Sequence, residues 1–570
     1  MADTKPKKQP KKMTRRGFVA CGATAAGLVG VTAVVNVGTN MFKSAIDHYI
    51  GGGETIITNA PGSESWDTAY YDQQYRGRGR ATEEAKQIVV EIEGEGIVLL
   101  KNDGNALPLA SGTEVSLIGR FAADPVYGGA GSGTVDPNDC VTLHDGIVAA
   151  GLAVNETAYG WIAENYANYA KANITMDNPN TATYYIGEIP WADYSPEAQG
   201  SISGTTALVV IGRGGGEGGD LSLDLLGTMN DGKHAAFVAN DETANYEEGQ
   251  HELELSREER DLISAAKEAC DKVIVLYNGS TPMELAPLMS GDLEVDAILS
   301  IGSLGASGAT AVGQVLVGAT NPSGKTTDIW AVDFTADPTF GNFGGRQYTD
   351  VTNYYAHNYN GSVEDATAYF VEYKEGIYYG YRYYETAAAE AEAGNYSGFD
   401  YDEAVLFPFG YGLSYTTFEQ ALDSCESDGE TVSASVTVTN TGSAAGKCVV
   451  ELYYSAPYTA GGIEKSAVVL GAFGKTALLD PGASETVELS FPVRQMASWS
   501  SDEGGYVLDE GDYVISLRSD SHTVIAEQVV ALEAQTFKSD SATGNELANR
   551  FDDLTEYMRA NCENLSRADF

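Results

Sequence analysis

One carboxylate in this chain sits in a setting suited to chemistry. Glu217 lies within Gly212-Arg213-Gly214-Gly215-Gly216-Glu217-Gly218-Gly219-Asp220, directly after the apolar run Ala207-Leu208-Val209-Val210-Ile211. That run has the length and composition of a buried strand. Ligands of open α/β sheets bind beyond the carboxyl ends of the strands. Glycines let a backbone approach a ligand or take a positive φ without a Cβ penalty. A carboxyl group there can give and take a proton, so Glu217 is the candidate general acid/base. Three plainer readings compete. Gly214, Gly216 and Gly219 form a formal GxGxxG, but a dinucleotide site needs a helix opening from the loop. Leu221-Ser222-Leu223-Asp224-Leu225-Leu226-Gly227 has no clear helical start. A surface turn with a solvated Glu stays open as a second reading. The third, a metal site, lacks a histidine nearby in sequence.

The bulk composition narrows the partners. The 570 residues predict roughly three or four domains. With 34 basic against 81 acidic residues, the net charge is −47. Nucleic acid needs a basic face, and an anionic membrane surface is equally disfavoured for the main body. A neutral substrate such as a sugar fits. The 34 tyrosines suit sugar contact or plain packing, because each has an apolar face and a polar tip. Cys21, Cys140, Cys270, Cys425, Cys448 and Cys562 are scattered, with no CxxC or Cys/His cluster, which argues against structural zinc. Cys425 and Cys448 could pair within one β-domain, but the preferred reading leaves them free. No cofactor is expected.

The elements that must hold Glu217 follow from the patterning. Lys5 to Arg16 is basic, and Gly17 to Phe42 carries no charge. Thr14-Arg15-Arg16-Gly17-Phe18-Val19 resembles a twin-arginine export signal. The apolar stretch is long enough to span a bilayer, so it is a cleaved signal or a retained anchor. This segment is the only expected membrane contact, and the body is expected outside the cytoplasm. Residues 46–81 read as a connector. A helix from Thr82 to Gly94, a strand at Val115 to Ile118 and helices at Asp145 to Leu152 and Ala158 to Ala172 precede the Glu217 loop. Ser256-Arg257-Glu258-Glu259 is a capping box opening a helix to about Cys270. Val273 to Tyr277 is read as a strand, Pro282 to Met289 as a helix, Ala297 to Ile301 as a strand and Ser307 to Val317 as a helix. This alternation predicts a mostly parallel sheet covered on both faces. Asn321-Pro322-Ser323-Gly324-Lys325-Thr326 invites a phosphate-loop reading, but five residues rather than four separate Gly318 from Gly324, and the turn reads as structural.

Several stretches together resemble the second half of family 3 glycoside hydrolases, the β-glucosidase/β-xylosidase group. They are Glu95-Gly96-Ile97-Val98-Leu99-Leu100-Lys101-Asn102, Gly216-Glu217-Gly218, Asn321-Pro322-Ser323-Gly324-Lys325, the run Tyr373 to Tyr384 and Phe407-Pro408-Phe409-Gly410-Tyr411-Gly412-Leu413-Ser414-Tyr415. Beyond them the pattern turns to strict alternation at Ser433 to Thr439, Val449 to Tyr454, Thr486 to Phe491 and Asp512 to Leu517. That predicts a β-sandwich of the fibronectin type III kind, which the resembled family also carries in this place. The expected domains are a signal or anchor (1–45), a connector (46–81), an α/β sandwich (82–420), a fibronectin-like sandwich (421–533) and a linker with an amphipathic helix at Asn545 to Glu563 (534–570).

The resemblance implies a division of labour. In that family a barrel domain carries the aspartate nucleophile and most sugar contacts, and the α/β sandwich supplies the acid/base. Some members place the barrel last, and Leu565 to Phe570 looks like the approach to it. No barrel follows in this sequence, so no nucleophile is assigned: either the gene is split or truncated, or the barrel is a separate chain that could act as partner. A retaining glycosidase needs two carboxyl groups about 5–5.5 Å apart. Asp220 and Asp224 lie too close to Glu217 in the chain to serve. The implied substrate is a β-linked oligosaccharide or glucoside. The competing function is a non-catalytic carbohydrate-binding or scaffold protein, with Tyr373 to Tyr384 as its binding face. Core packing is the plain reading of that aromatic run.

Overall fold

The computed structural model describes residues 75, 77–129, 133–169, 186–214, 223–225, 246–342, 355–357, 363–365, 373–548 and 564–570. Glu217, Asp220, the N-terminal export segment and most of the expected helix at Asn545 to Glu563 lie outside them. The compact unit Arg78–Phe570 holds everything that follows.

The sheet is built from the apolar runs. Its strands are β1 (Val98–Asn102), β2 (Glu114–Ile118), β3 (Ala153–Val154), β4 (Thr206–Gly212), β5 (Lys272–Asn278) and β6 (Ala297–Ser300), in the order β1-β6-β5-β4-β2-β3. From β6 through β3 the pairings are parallel, while β1 runs antiparallel on β6. Side chains alternate across the sheet. Leu117, Leu208, Val210, Ile274 and Leu276 enter one core with α2 (Leu143–Ala149) and α5 (Ala309–Leu316). Ile118, Val209, Ile211, Val275 and Tyr277 enter the other with α3 (Glu156–Asn165) and α4 (Arg257–Ala269). Both faces are therefore covered, as the alternation predicts. Among the described residues the remaining long helices are α1 (Arg78–Gly96) and α6 (Tyr381–Glu392).

Three of the recognised motifs meet at the edge of this sheet. Gly324 N donates to Ile97 O at 3.2 Å, and Leu413 N donates to Leu99 O at 2.9 Å, so the outer side of β1 is occupied. A Cβ on Gly324 would lie 2.5 Å from Gly96 O, and one on Gly412 would lie 2.3 Å from Gly324 O. Only glycine allows three backbones to stack this closely. Lys325 Nζ donates to Gly412 O and Ser519 O at 3.3 and 3.2 Å. The Pro322-Ser323-Gly324 turn is thus structural.

The second domain is all antiparallel. Strands β9 (Phe418–Ser427), β10 (Thr431–Asn440) and β13 (Ser484–Pro492) form one sheet, following the short pair β7 (Trp330–Ala331) and β8 (Val405–Phe407). Strands β11 (Val449–Ser455), β12 (Val469–Lys475), β14 (Gly511–Arg518) and β15 (Val524–Leu532) form the other, in the order β12-β11-β14-β15. Val436, Val438, Val450, Leu452 and Leu517 pack between the sheets.

One expectation needs correction. Pro282 to Met289 is not a helix; it holds one 3-10 turn, Ala286–Leu288. Pro287 has no N–H to give to Met283, and Glu284 N instead bonds Leu253 O at 3.0 Å. The antiparallel direction of β1 is also new. The aromatic run divides: Tyr378, Tyr383 and Tyr384 are buried, whereas Tyr373 and Tyr379 are 72% and 52% exposed. Cys425 and Cys448 are both free thiols.

Candidate active-site rim

The carboxyl end of β4 is fixed by one buried ion pair. Arg213 follows the strand at 3% exposure, and Glu259 of α4 is fully buried. The guanidinium meets the carboxylate in a fork: Nη1 to Oε1 at 2.6 Å and Nη2 to Oε2 at 2.8 Å. Nε and Nη2 also donate to Glu252 O and Glu254 O, at 2.6 and 2.7 Å. Burial alone would lower the Arg213 pKa, but the Glu259 charge and its hydrogen bonds outweigh that and raise it. Glu259 serves twice, since Oε2 accepts from Ser256 N at 2.8 Å to complete the predicted capping box.

Neighbouring strand ends are held equally firmly. Asn278, the last residue of β5, bridges to Val126 N and O and to Gly302 O with bonds of 2.6, 3.1 and 2.6 Å. Arg213 N donates to Asn278 O at 3.2 Å. Gly212 faces the Phe121 ring so closely that a Cβ would come within 2.2 Å of it. Beyond β2, Glu188 accepts from Arg120 N at 2.9 Å and Ile189 N at 2.8 Å. Burial, reinforced by the charge on Glu259, pushes the Glu188 carboxyl up to about 8. His251 Nδ1 accepts from Leu253 N at 3.2 Å, so Nε2 carries the proton directed at Glu284 Oε1, 3.0 Å away. Leu225 N donates to Gln250 O at 2.8 Å.

The described residues flanking 215–222 are each held, Arg213 as one foot and Leu225 as the other. Glu217 itself lies outside the described residues. Asp224 is half-buried beside the second foot, between exposed Leu223 and buried Leu225. Among the described residues no group of three or more His, Cys, Asp or Glu side chains could hold a metal ion. Sequence reasoning placed Arg213 in the glycine stretch and Glu259 in the capping box but did not join them, because 46 residues separate them. A lone arginine closing an apolar strand was the available signal. Nothing in the sequence marked Glu188.

Comparison with known proteins is consistent across sequence and structure. Residues 97–381 match the family model "Glycosyl hydrolase family 3 C-terminal domain", and residues 448–521 match "Fibronectin type III-like domain". Beta-glucosidase A of Butyrivibrio fibrisolvens is 31% identical over 458 residues, covering 76% of this chain and 50% of its own length. The beta-glucosidase of Ruminococcus albus is 30% identical over 444 residues, covering 75% of this chain and 39% of its own. The structure of beta-glucosidase 3B from Thermotoga neapolitana in complex with glucose superposes with a TM-score of 0.60 at 29% identity, over 80% of this chain and 55% of the other. The chain thus spans about half the length of the relatives it matches.

Proposed function

Since the chain belongs to glycosyl hydrolase family 3, we propose that it is the acid/base-bearing part of an exported β-glycosidase of the β-glucosidase kind. Glu217 donates a proton to the leaving-group oxygen of a β-linked glucoside and later takes one from water, as the retaining two-carboxylate mechanism requires. The observation that carries this reading is the buried Arg213–Glu259 fork. It fixes the root of a glycine-rich loop at the carboxyl end of a central parallel strand, where such sheets bind ligands. The fork spends its own charges on each other, and the first carboxyl group after it in the sequence is Glu217.

A proton donor must be protonated before it acts, which calls for a raised pKa. Burial and a facing carboxylate supply that rise. Both come from a barrel wall, which in this proposal is a separate chain carrying the nucleophile. The N-terminal twin-arginine segment exports the protein and either is cleaved or tethers it to the outer face of the membrane.

The test is complementation. Mixing this chain with a family 3 barrel fragment is expected to restore hydrolysis of an aryl β-glucoside, and Glu217→Gln is expected to reduce kcat by about 10²–10⁴-fold. Restored hydrolysis that is indifferent to Glu217→Gln would remove the assignment. Exposed Tyr373 and Tyr379 favour a second reading, a non-catalytic carbohydrate-binding or scaffold protein derived from such an enzyme. Failure of every barrel fragment to restore turnover is the result that would favour it.

A further inference from the structure

A groove of about 930 Å³ runs between residues 376–382 of the α/β domain and the hairpin 498–508 of the β-sandwich. Its size falls in the range of small-molecule sites. One wall is aromatic. Trp499 and Tyr506 are directly paired across the hairpin, with rings edge to face at 5.3 Å. Tyr506 is 38% exposed. The remainder is polar and electrically balanced: Arg382 and Lys465 are matched by Glu464 and Asp502. These groups are already held in place. Glu464 accepts from the Tyr378 hydroxyl, from Ser566 Oγ at 2.7 Å and from Arg567 N at 3.0 Å. The Arg382 guanidinium lies 5.6 Å from the centre of the Tyr379 ring.

The chemistry selects a ligand class. A floor of charged groups disfavours an apolar ligand, and balanced charge gives no purchase to a polyanion. A β-linked gluco-oligosaccharide is neutral. Each of its rings has a flat C–H face for an aromatic side chain and a rim of hydroxyls for donors and acceptors. We propose that this groove is a second, non-catalytic saccharide site, with Trp499 and Tyr506 under the sugar faces and Arg382, Glu464 and Gln495 at their edges. The ligand class rests on the glycosidase reading; the groove does not. Such a site would retain a polymeric substrate on the β-sandwich.

Calorimetric titration of the full chain with cellotetraose tests this. Saturable binding is expected, weakened about tenfold or more by Trp499→Ala. Trp499→Phe is expected to keep most of the affinity, and an unchanged melting temperature shows that the alanine variant folds. Glu217→Gln is expected to bind like the wild type. Absence of binding, or binding indifferent to Trp499→Ala, overturns the proposal. So does Trp499-dependent capture of a peptide of residues 549–563 in place of the sugar. Cellotetraose binding without barrel complementation leaves this site standing and removes the catalytic reading. Complementation without cellotetraose binding does the reverse.

Discussion

Glu93 of α1 carries a carboxyl oxygen, Oε1, that is buried without a hydrogen-bond partner, and burial pushes its pKa from 4.5 up to about 8. The folded group is therefore protonated at neutral pH and the unfolded one is not. Folding takes up a proton between those values, so this stabilisation is complete below about pH 4.5 and is lost as pH rises through about 8. Glu451, raised to about 7 by burial, acts in the same direction. Glu93→Gln keeps the shape without the titration, and melting temperatures recorded from about pH 5 to about pH 8 are expected to fall less steeply than in the wild type. At Gly212 the constraint is steric. Gly212→Ala drives a methyl into the Phe121 ring, and denaturant titration is expected to show a loss of about 1–3 kcal/mol. Residues of this kind were only partly legible in the sequence. The glycine loop drew attention to Glu217, because a charge among glycines after an apolar run is a local pattern. The tight contact between Gly212 and Phe121 was not visible, since it is made across 91 positions of chain.

Elements were more legible than their contacts. Apolar runs and the capping box located β2, β4, β5, β6 and α4, since burial on both faces leaves a continuous apolar signature. The direction of β1 was not legible, because its run Val98-Leu99-Leu100 reads the same in a parallel or an antiparallel pairing. The expected helix over Pro282 to Met289 failed for a reason present in the sequence, a second proline inside the run. The Arg213–Glu259 fork is where element and site meet, joining the end of β4 to the start of α4. Glu259→Gln leaves the Arg213 charge buried with a neutral partner, and equilibrium unfolding is expected to show a loss of about 3–5 kcal/mol. In the complemented enzyme the same variant is expected to lower kcat more than it raises KM, because the loop root is released without removing a substrate contact.

At the scale of the whole molecule the two domains are stitched together rather than strung in series. Asn321 Oδ1 accepts from Ser414 Oγ and Tyr415 N at 2.9 and 2.8 Å, while its Nδ2 reaches Ala445 O at 2.9 Å. Glu95 is paired with both Lys447 and Lys475. Buried Glu385 of α6 accepts from Ser521 Oγ at 2.8 Å and meets His522 Nδ1 at 3.0 Å, and the His522 ring stacks on Tyr401 at 3.7 Å. Such seams predict cooperative melting. Asn321→Ala is expected to cost about 1–3 kcal/mol and to split one calorimetric transition into two. Leu565 to Phe570, read from sequence as the approach to a barrel, are seated on the α/β domain. Phe570 packs on Tyr378 and stacks with Tyr396, and Arg567 Nε bonds Glu390 Oε1 at 2.6 Å.

The occupied side of β1 bears on whether the large sheet can recruit other molecules. An open row of peptide groups invites strands from other molecules and leads toward fibres. Here one flank of the large sheet is already bonded to Gly324 and Leu413, and the opposite flank ends in a strand of two residues. Among the described residues this sheet therefore offers other copies of the protein little free edge on which to add a strand.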